Sequence, residues 1–428
     1  MFIIYDLIFL AAAIIYLPAY LFRKKFHRGF LLRLGFLPAS LALDKPIWVH
    51  AVSVGEVMEV RHLIDELRKA YPDKKLVIST VTATGNKIAR DIAGEGNLVT
   101  YLPLDLSFIV RSVINRIKPS LFVIAETELW PNLIYYLYRK NIPVVTVNGR
   151  VSDASFRGYS SIKILLKPIL NKINLFCVQT ERDAERLRHL GVYGDKIHIT
   201  GNMKFDIRGY PHKIQEAADY RLRLALASQD KLFVAGSTHI GEEEIILNVY
   251  RGLSREFPHL RLLIAPRHPE RAAPVFNLIK KFGFETERIS LLNERTREQE
   301  SKRTVYLLDT VGELASFYSI ADIVFVGGSL VKKGGHNILE PASFAKPVLF
   351  GPHMFNFSDI ADLFLSNKAA IEVHDQADLK MNIAELLRNP SKAIERGKRG
   401  QQLILQNQGA TTRNLEYIKA VAVHSGLW

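Results

Sequence analysis

The chain has 428 residues, 48% of them hydrophobic and 23% charged, a balance that excludes a disordered polypeptide and a length that exceeds one ordinary compact domain. Its formal net charge of +14 favours an anionic partner, whether nucleic acid, acidic lipid or a phosphorylated substrate, and does not choose among them. A lone cysteine, Cys177, excludes an intrachain disulfide; it lies in the apolar run Leu175 to Val178, reads as a core residue, and fits a reducing compartment.

Residues Phe2 to Phe22 are almost all apolar or aromatic, interrupted by Asp6 and Pro18. The run is close to the roughly 20 residues that span a bilayer core. A basic cluster follows: Arg23, Lys24, Lys25, His27, Arg28 and Arg33. Charges after the apolar run, not before it, argue against a cleaved signal peptide. A spanning anchor and an interfacial helix both remain open, and both place the rest of the chain on the cytoplasmic face, with the cluster against anionic headgroups.

From Ile47 the chain alternates apolar runs with helical patterns. Strands are expected at Ile47 to Val52, Leu76 to Val81, Leu121 to Ala125, Val144 to Val147 and Leu175 to Val178, and a helix over Val57 to Ala70 from the spacing of Val57, Val60, Ile64 and Leu67. The stretch Lys204 to Asp230, with Gly209-Tyr210-Pro211, reads as an interdomain connection. A second series follows at Lys231 to Ala235, Arg261 to Ala265, Thr304 to Leu308, Ile323 to Val326 and Pro347 to Phe350. Continuous apolar strands separated by helices predict parallel sheets covered on both faces. The expected fold is therefore α/β with GT-B architecture: two Rossmann-like doubly wound domains facing across a cleft, behind an N-terminal membrane-anchor helix. The expected division is 1–22 for the anchor, 23–208 for the first domain and 209–428 for the second, its last helix packing back on the first.

Ligands of open parallel sheets bind beyond the carboxyl ends of the strands. After the first strand come Ser53 and Glu56, with the spacing of a capping box. After the third come Glu126, Thr127, Glu128 and Trp130, with Pro131 suited to a first helical position. A structural ion pair with Arg150 is the plain alternative for these carboxylates. Lys204, in Gly201 to Asp206, is either a surface lysine or a cation for a phosphate or carboxylate. In the second half, Ser237 and Thr238 ahead of the helix at Glu242 suit an anion site or an ordinary cap. Arg267 and His268 follow a strand, where an arginine suits bidentate phosphate contact. Thr310 to Glu313 repeats the capping-box spacing. Gly327 to Pro341 gathers four glycines and two lysines before a helix start, combining backbone donors with fixed positive charge. There is no Walker-type loop, no Gly-x-Gly-x-x-Gly, no Asp-x-Asp and no Cys/His cluster, so Lys, Arg and helix N-termini would neutralise a phosphate-bearing donor.

Taken in order, His50 to Glu56, Glu126 to Leu133, Asn148 to Ser152, Gly201 to Asp206, Pro266 to Arg271, Gly327 to Pro341 and Gly351 to Phe357 resemble the successive signatures of bacterial 3-deoxy-D-manno-octulosonic acid (Kdo) transferases. The resemblance runs from the N-terminal anchor to about residue 412. It implies an inverting glycosyltransferase of the inner membrane that moves Kdo from CMP-Kdo to a lipid A precursor in lipopolysaccharide synthesis. The first domain would bind acceptor and the second CMP-Kdo, with no cofactor and no metal. It also implies Glu56 as general base, with Glu126 and Lys204 supporting the transition state; of the pair Glu126/Glu128, Glu126 is chosen as nearer the strand end. Arg267, then Val311, Gly312 and Glu313, then Asn337, Ile338, Leu339 and Glu340 match CMP-binding positions, and His268, Ser237, Thr238 and Gly335 complete the donor-binding set. Two rivals stand beside this reading. A GT-B nucleotide-sugar epimerase needs no lipid acceptor and leaves the anchor unexplained. A basic nucleic-acid binder would need an aromatic-interleaved patch or docking motif, which the sequence lacks.

Overall fold

The computed structural model describes residues 4–11, 13, 15, 29–38, 43–207, 217–292 and 304–424. Most of the apolar run, the basic cluster before Gly29 and the Gly209-Tyr210-Pro211 turn lie outside them. The chain forms two compact units, Met1–Asp206 with Asn407–Trp428, and Ile207–Gln406.

The first unit is built on a seven-stranded sheet: β1 (Ile47–His50), β2 (Leu76–Thr80), β3 (Leu98–Tyr101), β4 (Leu121–Ala125), β5 (Val144–Gly149), β6 (Leu175–Val178) and β7 (Ile197–Ile199). The order is β3-β2-β1-β4-β5-β6-β7, and every pairing is parallel. Alternation divides β1 between two cores. Trp48 faces one, packed edge-on against Phe122 at 4.8 Å with Ile109, Ile134 and Leu137. Ile47 and Val49 face the other, with Val57, Val60 and Ile64 from the Val54–Ala70 helix. Burial on both faces is why the strands read as unbroken apolar runs. Cys177 lies fully buried in the second of these cores, and burial pushes its thiol up to about 12.

The chain returns to the first unit at its end. The Asp206 carboxylate accepts from the backbone N–H groups of Gly409, at 2.6 Å, and Thr411, capping the Ala410–His424 helix. That helix sets Ala410, Leu415 and Ile418 into the core holding Val49.

At the other end of the chain, helical residues 4–11 lie on the same unit by one face. The Tyr5 hydroxyl donates to Asp105 at 3.0 Å. Asp6 Oδ1 accepts from Ser107 N at 3.1 Å and Asn132 Nδ2 at 2.7 Å. Among the described residues, no helix is long and apolar enough to cross a membrane. Asp6, an interruption in an apolar run when read as sequence, is a hydrogen-bond acceptor for the fold.

The second unit repeats the plan with β8 (Lys231–Thr238), β9 (Leu260–Pro266), β10 (Glu285–Arg288), β11 (Thr304–Leu307), β12 (Ile323–Val326), β13 (Val348–Phe350) and β14 (Ala370–Glu372). Their order is β10-β11-β9-β8-β12-β13-β14, again all parallel. Both units are doubly wound, as expected. In each the strand order reverses beside the first strand, between β1 and β4 and between β8 and β12. That reversal opens a crevice at the carboxyl ends of those strands.

Candidate active site

In the first unit the crevice at β1 and β4 collects carboxylates. Ser53 caps the Val54–Ala70 helix from extended backbone, which is unavailable to a helical residue. Its hydroxyl donates to Glu56 Oε1 at 3.0 Å, and Glu56 Oε2 accepts from Val52 N at 2.7 Å. The capping spacing seen in the sequence is therefore realised. Burial pushes the Glu56 carboxyl up to about 7, with the Glu126 and Glu128 charges adding to it, against the pull of Val52 N–H and Ser53. Glu128 is also raised, by burial and by the Glu126 charge.

Glu126 follows β4 with φ +57°, a left-handed conformation costing a non-glycine residue about 1–3 kcal/mol. Trp130 and Pro131 open the Pro131–Arg139 helix as anticipated. Its first N–H groups are satisfied by a distant side chain: Asp105 accepts from Asn132 N at 3.1 Å and Leu133 N at 2.9 Å. Burial raises Asp105 to about 6 against these bonds.

Lys204 belongs to the same group. Its Nζ lies 3.1 Å from Glu59 Oε1, one helical turn beyond Glu56, with both side chains mostly buried. Glu59 Oε2 accepts from Asn148 Nδ2 at 2.7 Å, and Asn148 Oδ1 accepts from Met203 N at 2.9 Å. Burial raises the Glu59 carboxyl, the Lys204 charge opposes this, and the Glu126 charge adds to it. Glu56, Glu59, Glu126, Glu128 and Lys204 thus form one electrostatically coupled cluster.

The second unit's crevice is different in kind. Ser237 (φ +56°) and Thr238 end β8 itself; the helix starts four residues later, behind Gly241 at φ +96°. Thr238 Oγ1 donates to Glu243 at 2.9 Å, and Glu243 also pairs with Arg271 at 2.7 Å. The glycine-lysine loop after β12 has its Gly328, Ser329 and Leu330 amides turned inward. Glu242, fully buried, accepts from Gly328 N (2.8 Å), Ser329 N (3.0 Å), Leu330 N (3.0 Å) and His239 N (2.9 Å). Those backbone donors, expected for a phosphate, are held by the protein's own carboxylate.

Three histidines converge above this loop. His239 Nε2 is 2.8 Å from His336 Nε2 with the rings stacked, so one ring must donate and the other accept. His268 meets His239 edge-on at 5.9 Å. Burial lowers His336 to about 4, helped by Arg267 and the other two imidazoles, and lowers His239 as well.

Further along, Ile338 and Leu339 are fully buried, which leaves their side chains no surface to offer a ligand, and Asn337 Oδ1 accepts from Leu339 N at 3.0 Å. Gly335 has φ +71°, and a Cβ there would meet Met354 Sδ at 2.1 Å. Glu340 lies in the first turn of the short Leu339–Ser343 helix. Gly312 turns at φ +90° beside the exposed Val311. The Thr310 spacing does not cap a helix: the helix begins at Leu314, and Glu313 accepts from the Thr310 hydroxyl and from Arg223 at 2.6 Å. Among the described residues, no group of three or more His, Cys, Asp or Glu is placed to hold a metal ion.

Residues 28–207 match the family model described as 3-Deoxy-D-manno-octulosonic-acid transferase (kdotransferase). A 3-deoxy-D-manno-octulosonic acid transferase of Haemophilus influenzae is 39% identical over 384 residues, covering 89% of this chain and 88% of that protein. The chain belongs to the Kdo transferase family. A second member, from Chlamydophila psittaci, is 32% identical over 426 residues, 97% of this chain and 95% of its own. A UDP-GlcNAc 2-epimerase of Neisseria meningitidis bound to UDP-GlcNAc shares 14% identity with a TM-score of 0.53, over 85% of this chain and 99% of that one. At that identity the likeness is one of fold, and it agrees with the GT-B expectation.

Against the family, Glu56, Glu126 and Lys204 lie in one cluster of the first unit, and the proposed donor-binding residues all lie in the second. Sequence reasoning passed over Glu59, Glu242 and the His239–His336 pair. Glu59 carried a readable signal: it sits three residues from Glu56, hence on the same helical face. Glu242 carried none, because an acidic first turn reads as an ordinary response to the helix dipole.

Proposed function

We propose that this chain is an inverting glycosyltransferase that moves Kdo from CMP-Kdo onto a lipid A precursor, without a metal ion, at the cytoplasmic face of the inner membrane. The observation that carries the reading is the Glu56 carboxyl, pushed up to about 7 by burial and neighbouring carboxylates at the β1–β4 switch point of a Kdo transferase family member. A carboxylate of that basicity takes a sugar hydroxyl proton near neutral pH. The acceptor oxygen bonds to the anomeric carbon of Kdo as the bond to the CMP phosphate oxygen breaks. The bonding pair leaves on the phosphate, and the hydroxyl proton goes to Glu56. One displacement inverts the centre, so a base suffices and no enzyme nucleophile is needed.

Lys204 is the cation of the carboxylate cluster and is suited to charge developing during transfer. Glu126 holds its strained backbone beside Glu56, an arrangement with a role in aiming the acceptor. On the donor side, Arg267, His268 and the turns at Val311–Glu313 and Asn337–Glu340 supply the contacts for CMP, while positive charge takes the place of a metal. The basic, apolar N-terminal segment suits a phosphorylated glycolipid in an anionic membrane.

The test is incubation of the purified chain with a tetraacyl lipid A precursor and CMP-Kdo generated in the assay, with and without EDTA. Mass spectrometry should show acceptor heavier by whole Kdo units and release of CMP, both unaffected by EDTA. No Kdo-lipid from a chain that binds CMP would reject the acceptor, and loss of transfer with EDTA would reject the metal-free mechanism. The epimerase-like fold motivates one parallel incubation with UDP-GlcNAc, in which no isomer should form.

A further inference from the structure

Lys204 sits within a closed ring of contacts that its proposed role does not account for. Starting at its ammonium, the ring runs to Glu59 Oε1 at 3.1 Å, from Glu59 Oε2 to Asn148 Nδ2 at 2.7 Å, and from Asn148 Oδ1 to the Met203 amide at 2.9 Å. Met203 adjoins Lys204, so the circuit closes through the backbone. Two of its members are also held from outside the ring. Asn202 Oδ1 accepts from Lys204 N at 2.9 Å, and Gln179 Nε2 donates to the Asn148 carbonyl at 3.0 Å. Asp206, at the end of the same turn, is fixed by the start of the Ala410–His424 helix.

Stability alone is a poor reason for this arrangement. Desolvating a buried ion pair roughly cancels its Coulombic gain, and apolar replacements are often as stable. Asn148 adds its own cost, since it sits at φ +52°, a conformation Asn tolerates better than other side chains but still at a penalty. Strain and buried charge together at a strand end point to the geometry being held for chemistry.

We propose that Glu59 and Asn148 are positioning residues. Glu59 binds the Lys204 ammonium by charge, and Asn148 fixes the Glu59 carboxylate to the backbone beside Lys204, so that the ammonium keeps one place in the carboxylate cluster. Neither side chain needs to touch substrate. Glu126 lies within electrostatic reach of Glu59, so the clamp also sets the spacing of positive charge among the site's carboxylates. The role in turnover rests on the transfer reading given above; the clamp itself does not.

Two measurements test it on the full chain. The first is a cycle of Glu59→Gln, Lys204→Ala and the double variant in the transfer assay. Glu59→Gln should lower kcat about 10- to 100-fold with the KM for CMP-Kdo little changed, the size expected when a reacting group loses its position. Added to Lys204→Ala it should cost at most about twofold more, because residues acting through one another are not additive. If the two losses multiply in full, Glu59 acts independently of Lys204 and the proposal fails. The second measurement needs no activity: reductive methylation of Lys204, followed by peptide mass spectrometry in wild type, Glu59→Gln and Asn148→Ala. Both variants should label Lys204 several-fold faster, with the other lysines unchanged. Equal rates at Lys204, or acceleration at all lysines alike, would overturn the clamp. A wild type that transfers no Kdo would remove the functional reading while the labelling still decides the clamp.

Discussion

The two sheets share strand count, direction and topology, yet their switch points carry opposite chemistry. At the ends of β1 and β4 stand Glu56, Glu59, Glu126 and Glu128 around Lys204. Beyond β8, β9 and β12 stand His239, His268 and His336 respectively, with Arg267, Arg271 and Lys333 within electrostatic reach and Glu242 turned inward. Burial raises the proton affinity of the carboxyls, with neighbouring carboxylates adding to it, which suits a base; burial also keeps the imidazoles neutral, with neighbouring cations adding to it. One frame thus carries two electrostatically different switch points through side chains alone, and the proposed division between acceptor and donor rests on that difference.

The largest effect that sharpens this contrast is expected at the cluster's cation. Lys204→Ala should lower turnover about 10²- to 10³-fold, the loss typical of one transition-state contact, while CMP affinity stays as in wild type. Loss of CMP affinity in the variant would break the division of labour.

Glu242→Ala should act on the other unit and by another route. It strips the acceptor from four backbone N–H groups, three of them in the loop after β12, and should cost about 3 kcal/mol or more in stability, with weakened CMP binding. Urea unfolding and CMP titration read both; an unchanged midpoint would mean that water satisfies the loop equally well.

A smaller effect is the pH dependence of stability set by Glu56. Its folded value near 7 lies above its ordinary value near 4.5, so the folded chain holds this proton more tightly than the unfolded chain. The contribution is therefore complete below about 4.5 and is lost as pH rises through about 7. Glu56→Gln should melt a few degrees higher than wild type at pH 8, with the difference vanishing by pH 4. A constant difference across that range would contradict the raised value.

The smallest effect is expected at Glu126→Gly. Glycine adopts φ +57° without a Cβ clash, so relief of strain should offset the added chain entropy and stabilise the fold by up to about 1 kcal/mol while transfer slows. A stability loss would show that the Glu126 side chain holds the loop.

The sequence made the interior of both sheets legible and the margins illegible. All ten anticipated strands form, and β4, β6 and β12 have the anticipated limits. The four without an anticipated counterpart, β3, β7, β10 and β14, are the outer strands of the two sheets. An interior strand is buried on both faces and reads as an apolar run, whereas β10 is Glu-Thr-Glu-Arg and leaves almost no such trace. The site divides in the same way. Glu56 and Glu126 stand in segments that follow anticipated strands and Lys204 in the connection between the two series, and the family resemblance, not position, is what gave them roles. Glu59 meets Asn148 across 89 residues and Glu242 meets Gly328 across 86, and such meetings exist only once the sheet is assembled.

The most direct measurement is the rate of Kdo transfer against pH for wild type and Glu56→Gln, with CMP affinity measured on both. The account predicts a wild-type rate that climbs with pH through about 7 as Glu56 loses its proton. It predicts a Gln variant slower by about 10²- to 10⁴-fold at every pH, binding CMP as wild type does. A Gln variant that transfers Kdo at the wild-type rate would show Glu56 to be a helix cap and nothing more.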